Sequence, residues 1–195
     1  CYIDRVNISV AIIPMQEQFG WSDSQVGFIF SSFYVGYMLT MALGGYLSDK
    51  FGGKRVLGWG VVLWSVFTIL TPLAAHNGFF ALFFIRILMG IGEGVTFPAW
   101  HSLYARWIPF NERTRAIAFT NSGVSIGTII GYIGTQMIIL AMGWEWAFYI
   151  FGIVGLVWFI FWNRNVTSYP NEHKRISAEE LAYIQENAPS SEPAK

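Results

Sequence analysis

Long apolar stretches dominate the pattern of hydrophobic and polar positions along this chain. Four of them contain no Asp, Glu, Lys or Arg: Ser24 to Ser48, Val56 to Ala75, Ala116 to Trp144 and Trp146 to Asn163. A fifth, Phe79 to Ala105, is interrupted only by Arg86, Glu93 and His101. Because a bilayer core about 30 Å thick needs about 20 mostly apolar residues per helix, each stretch predicts a transmembrane helix.

The two ends of the chain differ from this pattern. Residues 1 to about 15 are apolar and predict the second part of a helix whose beginning is missing. The chain turns polar after Asn163, and Ser177 is placed to cap a short surface helix, with the last residues predicted to be disordered. We therefore expect an all-α, multi-pass membrane protein with six transmembrane helices, the first truncated, over residues 1–163. Residues 164–195 are expected to begin a cytoplasmic connecting loop.

Composition supports a membrane protein and excludes several other classes. The chain is 54% hydrophobic and 12% charged, whereas an ordinary soluble domain carries about 25% charged residues. Twelve basic and twelve acidic side chains give no net field for nucleic acid. A single cysteine excludes a disulfide framework, and no His or Cys cluster has the spacing of metal ligands.

Basic residues outside the predicted helices all fall on one side. The connections between segments 2 and 3 and between segments 4 and 5, together with the tail, contain Lys50, Lys54, Arg55, Arg106, Arg113, Arg115, Arg164, Lys174, Arg175 and Lys195. The other three connections contain none. The positive-inside rule therefore predicts that these two loops and the tail are cytoplasmic.

Four charged residues lie inside predicted membrane segments: Asp4, Arg5, Arg86 and Glu93. Each would cost about 2.5–3.5 kcal/mol at a helix centre, so such residues usually face a bundle interior or a water-filled cavity and act there. Arg86 and Glu93 are seven residues apart and share one helix face. The alternative to a functional role is a pair of structural ion pairs, which often add little net stability.

Other polar motifs have simpler explanations. Gly123-Val124-Ser125-Ile126-Gly127 fits the nucleophile-elbow pattern, but that elbow needs a strand-turn-helix context and this segment lies in a long predicted helix. Its glycines continue as a small-residue stripe suited to helix packing. For His101 we favour a hydrogen-bonded residue at a helix end. An intramembrane serine hydrolase that pairs Ser125 with His101 stays a remote alternative, and no enzyme is expected.

Two motifs resemble a known family. The run from Gly44 to Arg55, GGYLSDKFGGKR, resembles the signature loop of the major facilitator superfamily, with a Gly-rich helix end, an Asp, a Gly turn and basic residues. Its candidate cytoplasmic-gate residues are Gly45, Asp49, Gly52, Lys54 and Arg55. The run from Arg86 to His101, RILMGIGEGVTFPAWH, and Asp4-Arg5-Val6-Asn7 are similar to the anion:cation symporter branch, which includes sialin, the vesicular glutamate transporters and bacterial galactonate and hexuronate transporters.

The resemblance implies the first six of twelve helices, arranged as two inverted repeats with a substrate site near the midplane. It further implies that Arg5 and Tyr37 contact the substrate, that Asp4 and Glu93 carry protons, and that Arg86 pairs with an acid when the site is empty. Only the resemblance favours Tyr37, because aromatic packing explains Tyr34 and Tyr37 equally well. Asn121, Ser122 and Ser125 are equally suited to lining the cavity or binding neighbouring helices.

The function so implied is proton-coupled transport of a small organic anion, such as a sugar acid, by alternating access. Arginine offers a carboxylate or phosphate a fixed fork of donors and stays charged when partly desolvated. No cofactor is expected beyond the coupling ion, a proton or else sodium. The expected partners are the anion, the lipid bilayer and a missing C-terminal six-helix half.

Alternatives to this function are an anion exchanger, a sodium-coupled phosphate or organic-anion carrier, and a non-transporting membrane module. The membrane would be the inner membrane in a bacterium, and plasma, lysosomal, vesicular or plastid in a eukaryote.

Overall fold

Helices make up the whole regular structure of residues 2 to 188, the part of the chain that this computed structural model describes. They are α1 Tyr2–Phe19, α2 Asp23–Phe51, α3 Gly53–Asn77, α4 Phe79–Gly94, α5 Thr96–Trp107, α6 Arg113–Met142, α7 Trp144–Asn165 and α8 Ala178–Asn187. Short 3-10 turns lie at Phe110–Glu112 and Pro170–Glu172. The all-α prediction is therefore confirmed.

Five helical units are long and apolar enough to cross a membrane. They are α2, α3, α4 with α5, α6 together with the preceding turn, and α7, with mean hydropathies of 1.6 to 1.8. Helix α1 is more polar, since it includes Asp4, Arg5 and Asn7. It nevertheless packs against α6 and α7 and buries Val6, Ile8, Ala11, Ile12 and Met15. The six predicted membrane helices are all present.

The buried core has two parts that lie at different levels of the bundle. One contains Ile8, Ala11, Ile12, Met15, Trp21, Ile29, Ala75, Leu82, Trp144 and Phe148. The other contains Phe33, Tyr37, Leu57, Val61, Trp64, Met89 and Ala99, from α2, α3, α4 and α5. Arg5 of α1 and Arg86 of α4 lie beside this second part, in contact with the ring of Phe33.

Helices α2 and α4 cross at very short range. A Cβ added to Gly36 would overlap the carbonyl oxygen of Ile87, and one added to Gly90 would overlap that of Phe33. Only glycine at these crossing points allows two backbones to approach so closely. This contact fixes the height of Tyr37 on α2 relative to Glu93 on α4.

The connection between segments 2 and 3 is shorter than expected. The sequence predicts a loop from Asp49 to Arg55, but α2 continues to Phe51 and α3 begins at Gly53. Gly52 alone forms the turn, with a φ of 85° that favours glycine. Asp49 therefore lies on the last turn of α2, and Lys54 and Arg55 lie on the first turn of α3.

Segment 4 is two helices and not the single helix predicted. The break falls at Val95, and Pro98 explains it, because proline has no N–H to donate to the carbonyl of Gly94. The next helical hydrogen bond, from Ala99 N–H to Val95 O, is restored at 3.0 Å. Glu93 thus lies within the last turn of α4, directly before the break.

The polar tail begins as the sequence predicts. The Ser177 side chain caps α8 by accepting a hydrogen bond from the N–H of Glu180 at 3.1 Å. Tyr183 on α8 donates to Glu112 Oε1 at 3.3 Å. The predicted disorder concerns Ala188 to Lys195, and residues 189–195 lie outside the described part of the chain. The division into segments 1–163 and 164–195 stays a prediction.

We expect Gly90→Ala to destabilise the protein because the new methyl group would meet the backbone of α2. Overpacking of this kind costs about 1–3 kcal/mol. The matched control is Gly27→Ala, since a Cβ at Gly27 has no atom within 4 Å. Thermal unfolding in detergent should show a lower midpoint for Gly90→Ala alone, and equal midpoints for the two variants would contradict the close crossing.

Candidate functional site

Side chains from three helices meet around the guanidinium of Arg5. Arg5 on α1 donates from Nε to Oε1 of Glu93 on α4 at 2.6 Å. The ring of Tyr37 on α2 lies 4.6 Å from Arg5 Cζ. The structure thus brings together three of the predicted site residues, which are distant in sequence.

Aromatic rings surround the same guanidinium on its remaining sides. Its Cζ lies 5.1 Å from the ring centroid of Tyr2 and 5.2 Å from that of Phe33. Rings at this distance attract a cation through their negative faces, by about 2 kcal/mol when the pair is desolvated. The aromatic side chains therefore hold a positive charge in place while leaving some donors of Arg5 uncommitted.

Glu93 is the most enclosed member of this group. It is fully buried, and its carboxylate contacts Arg5 through Oε1 only. Oε2 is buried and has no hydrogen-bond partner. Buried polar atoms are usually satisfied, so a free carboxylate oxygen at this depth marks an atom available to a proton, a water molecule or a ligand.

Arg86 differs from its predicted role as partner of an acid. Its Nη1 donates to Met89 Sδ at 3.4 Å, and within residues 2–188 no carboxylate lies within 4.0 Å of it. Glu93 shares its helix face but is two turns away, and its carboxylate is bound to Arg5 from another helix. The role of Arg86 in an occupied or empty site stays a prediction.

Phe33 links the two arginines. The Arg86 Cζ lies 4.9 Å from its ring centroid, and the Arg5 Cζ lies 5.2 Å from it. One aromatic ring therefore contacts both guanidinium groups, each in an interior where a lone cation is costly. Phe33 separates the two positive charges while stabilising each of them.

Asp4 lies in a different place from Glu93. Its side chain lines a cavity of about 300 Å³ between α1, α3, α5 and α7, together with Ile3, Leu57, Val61, Trp64, Thr96, Trp100, Phe151, Val154, Gly155 and Trp158. Asp4 Oδ1 and Thr96 Oγ1 are buried there without hydrogen-bond partners. Consecutive helical residues point about 100° apart, so Arg5 faces α2 and α4 while Asp4 faces α3, α5 and α7.

The predicted cytoplasmic-gate residues lie at the junction of α2 and α3. Lys54 donates from Nζ to the carbonyl oxygen of Asn163 on α7 at 3.0 Å. Asp49 is exposed and forms no ion pair with Lys54 or Arg55 in the described structure. Gly52 packs against Ser168, whereas a Cβ at Gly45 would meet no atom within 4 Å. Their role in gating stays a prediction.

Sequence reasoning missed three residues of the site: Phe33, Met89 and Thr96. Two had a usable signal, because Phe33 is four residues before Tyr37 and Met89 is three residues after Arg86. Side chains at these spacings share a helix surface. Thr96 had no such signal, since its position opposite Asp4 depends on how α5 packs against α1 and α3.

The weaker candidates lie apart from the arginine cluster. Asn121 lines a small cavity with His101 and Tyr104, while Ser122 and Ser125 are exposed on α6. The Gly-x-Ser-x-Gly motif lies inside the continuous helix α6, so it lacks the turn that a nucleophile elbow needs. The glycine stripe is only partly used, because Gly131 packs near Ile3 while Gly123 has no neighbour within 4 Å.

Comparison with known proteins identifies the family. The sequence model described as Major Facilitator Superfamily matches residues 1–192. The chain belongs to the major facilitator superfamily. This is a family of transporters and not of enzymes, which agrees with the expectation from the sequence.

Similar curated proteins carry transporter names. The chain is 47% identical over 193 residues to "Probable anion transporter 4, chloroplastic" of Oryza sativa subsp. japonica, with 99% of this chain and 33% of that protein covered. It is 46% identical to "Ascorbate transporter, chloroplastic" and 44% identical to "Sodium-dependent phosphate transport protein 1, chloroplastic", both of Arabidopsis thaliana. These alignments cover 99% and 100% of this chain, and 36% and 38% of the two relatives. The chain thus spans about a third of the length of these curated relatives.

Solved structures show the same fold. A bacterial homologue of the human lysosomal transporter Spinster, in an inward-facing and occupied conformation, superimposes with a TM-score of 0.73 at 22% identity. The alignment covers 89% of this chain and 43% of that one. The described helices therefore form the N-terminal half of a major facilitator fold, and this superfamily member is a multi-pass membrane protein.

A double-mutant cycle on Arg5→Gln and Glu93→Gln should reveal strong coupling. Arg5→Gln strands the fully buried carboxylate of Glu93, at a cost of about 3 kcal/mol, and Glu93→Gln leaves the partly buried Arg5 without its partner, whereas the double variant removes both charges. We expect the double variant to be more stable than the sum of the singles by about 1–3 kcal/mol, measured by thermal unfolding.

The control cycle uses His76 and Glu145, which lie 3.6 Å apart with side chains 50% and 30% exposed. Exposed pairs contribute about 0–1 kcal/mol, so this cycle should show little coupling. Additive effects of Arg5→Gln and Glu93→Gln would contradict the ion pair.

Proposed function

We propose that the protein containing this chain is a secondary active transporter that moves a small anion across a membrane by alternating access. The observation that carries the proposal is the pairing of Arg5 with the buried Glu93 beside a second buried cation, Arg86. The substrate class follows from the two guanidinium groups, which suit a carboxylate or phosphate. A sugar acid or a related carboxylate is the expected substrate.

The balance of charges in this cluster is the basis of the proposed link between proton binding and anion binding. Arg5 and Arg86 are balanced by Asp4 and Glu93 when both acids are ionised. Protonation of Glu93 would weaken its hold on Arg5 and leave an excess positive charge in a buried site. An incoming anion could then take the place of the carboxylate, so proton binding and anion binding would be linked.

The free oxygen of Glu93 supports this proposal. Oε1 holds Arg5, while Oε2 is buried without a partner and could accept the proton. Because Glu93 is fully buried, the proton must reach it by a rearrangement or through water. Asp4, which lines the neighbouring cavity with Thr96, is the second proposed proton carrier.

The proposal also includes the orientation of the bundle, the membrane in which it lies and a second half of the protein. The basic residues at the α2–α3 junction, around the turn between α5 and α6 and in the tail favour the cytoplasmic or stromal side for this end of the bundle. Relatives named as chloroplastic favour a plastid membrane. A second six-helix half would close the substrate site against α1, α2 and α4.

Sodium coupling is the second candidate. It is favoured by the 44% identity to a protein named as a sodium-dependent phosphate transporter. The two arginines would bind the anion in the same way, but protonation of Glu93 would not be needed. An exchanger without ion coupling is the remaining form of the same transport reaction.

Uptake into proteoliposomes by the full-length protein tests the proposal. The substrates are ascorbate, a sugar acid, sialate, glutamate and phosphate, each with a proton gradient, a sodium gradient or neither. We expect one acid to accumulate only with the proton gradient. Glu93→Gln should abolish this accumulation yet retain exchange, because it leaves the positive site but removes the proton carrier.

Glu145→Gln is the control, since Glu145 is a partly exposed acid away from the arginine cluster. It should accumulate substrate as the unmodified protein does. Accumulation by Glu93→Gln driven by the proton gradient would overturn proton coupling through Glu93. Accumulation driven by sodium alone would establish the second candidate instead.

The role of Tyr37 has its own test. Tyr37→Phe keeps the ring against Arg5 but removes the hydroxyl, so we expect KM to rise about ten-fold if that hydroxyl binds the anion. Tyr34→Phe is the matched control, because Tyr34 is 55% exposed on the same helix. An unchanged KM for Tyr37→Phe would assign Tyr37 to positioning of Arg5 alone.

A further inference from the structure

A polar cavity outside the transport site lies where α3 begins and α7 ends. It encloses about 300 Å³ and is lined by Lys54, Asn163, Arg164, Asn165, Val166, Thr167, Glu172, His173, Lys174 and Arg175. Four of these side chains are cationic and one is a carboxylate. This cavity is separate from the one lined by Asp4, and it includes no residue of the arginine cluster.

Hydrogen bonds between helices hold one wall of this cavity. Lys54 donates from Nζ to Asn163 O at 3.0 Å, and Trp162 donates from Nε1 to Lys54 O at 3.1 Å. These bonds join the start of α3 to the end of α7. The C-terminal end of α7 carries a partial negative charge on its free carbonyl groups. Because Lys54 donates a hydrogen bond to one of them, this helix end repels an anion less than a helix end without such a donor.

The opposite wall is the segment after α7, and it is also anchored. Trp107 donates from Nε1 to Thr167 O at 3.1 Å, and its ring contacts His173 edge to face at 5.7 Å. The ring centroid of Tyr169 lies 4.6 Å from Cζ of Arg106. The cavity is therefore a built feature of the fold between two fixed walls.

The cations of the cavity have few protein partners. Within residues 2–188, Arg164, Lys174 and Arg175 form no ion pair or side-chain hydrogen bond. Glu172 is also in the lining, yet it engages none of them within 4.0 Å. Uncommitted like charges gathered around a cavity repel one another, and a bound anion would relieve that repulsion.

Tryptophans lie close to the cavity at the ends of α5 and α7. Trp158 and Trp162 stack with ring centroids 4.8 Å apart just before the end of α7. Trp107 lies at the end of α5, on the other side of the cavity. Tryptophan is enriched at membrane–water interfaces, so these residues favour a position of the cavity near the lipid headgroups.

We propose that this cavity binds a phosphate group, with Arg164, Lys174 and Arg175 as its ligands. Guanidinium and ammonium groups bind phosphate oxygens through charge-assisted hydrogen bonds, and all three side chains are exposed to an incoming phosphate. The source of the phosphate is the headgroup of an anionic phospholipid or a free phosphate ion. The site includes no residue of the arginine cluster, but its lining includes Lys54, which is a predicted cytoplasmic-gate residue.

The experiment measures binding to the full-length protein in detergent. Native mass spectrometry compares retention of dioctanoyl phosphatidylglycerol with that of dioctanoyl phosphatidylcholine, and inorganic phosphate is added as a competitor. We expect preferential retention of phosphatidylglycerol. Lys174→Gln with Arg175→Gln should weaken it about 30-fold, since each basic residue near a membrane surface contributes about five-fold.

The matched control is Lys50→Gln with Arg115→Gln, which removes the same charges from exposed positions outside the cavity. We expect this control to retain phosphatidylglycerol as the unmodified protein does. Arg164→Gln, on the other wall, should weaken retention about five-fold and provides a second variant.

Competition by inorganic phosphate that depends on Lys174 and Arg175 would identify a site that also takes the free ion. Absence of competition, with phosphatidylglycerol still preferred, would identify the lipid headgroup as the source. Equal retention of the two lipids with no inorganic phosphate retained, or equal losses in both double variants, would overturn the proposal.

Discussion

The ion pair between Arg5 and Glu93 is the contact on which the arrangement of the site depends. Helix α1 packs chiefly against α6 and α7, whereas α4 packs chiefly against α2 and α3. The long side chain of Arg5 crosses between these groups to reach a carboxylate that no solvent contacts. An ion pair so deep in an apolar bundle is stable only while both charges are present, because either charge alone would be stranded.

Close packing of α2 on α4 makes that pair possible. Glycines at the crossing bring the α2 backbone against α4, so Phe33 and Tyr37 reach the guanidinium that pairs with Glu93. Phe33 also contacts Arg86, so one ring lies against both guanidinium groups. The arginines supply the positive charge of the site, and the backbone approach determines where the aromatic rings meet it.

The sequence predicts the fold well and the pairing of charges poorly. Membrane spans could be predicted because the bilayer requires about 20 apolar residues per helix, and the α8 cap because it is local. Pairing depends on how helices cross, which hydropathy does not encode. Arg86 and Glu93 do share a helix face, but seven residues separate them by about 10 Å along the axis, and Arg5 from another helix takes the carboxylate. The break at Val95 could have been predicted from Pro98, because a proline has no N–H to bond the carbonyl four residues earlier.

Asp4 and Arg5 show how one rigid helix couples two regions. They are consecutive residues of α1, yet Arg5 faces the site between α2 and α4 while Asp4 faces the cavity that Thr96 lines. A helix moves as a unit, so any tilt or rotation of α1 that alters the contact of Arg5 with Glu93 must also move Asp4 within its cavity. Packed interfaces change between discrete arrangements and do not deform continuously. A change of charge that tilts or rotates α1 on one side would therefore also displace the residue on its other side, with no chain of intervening side chains required.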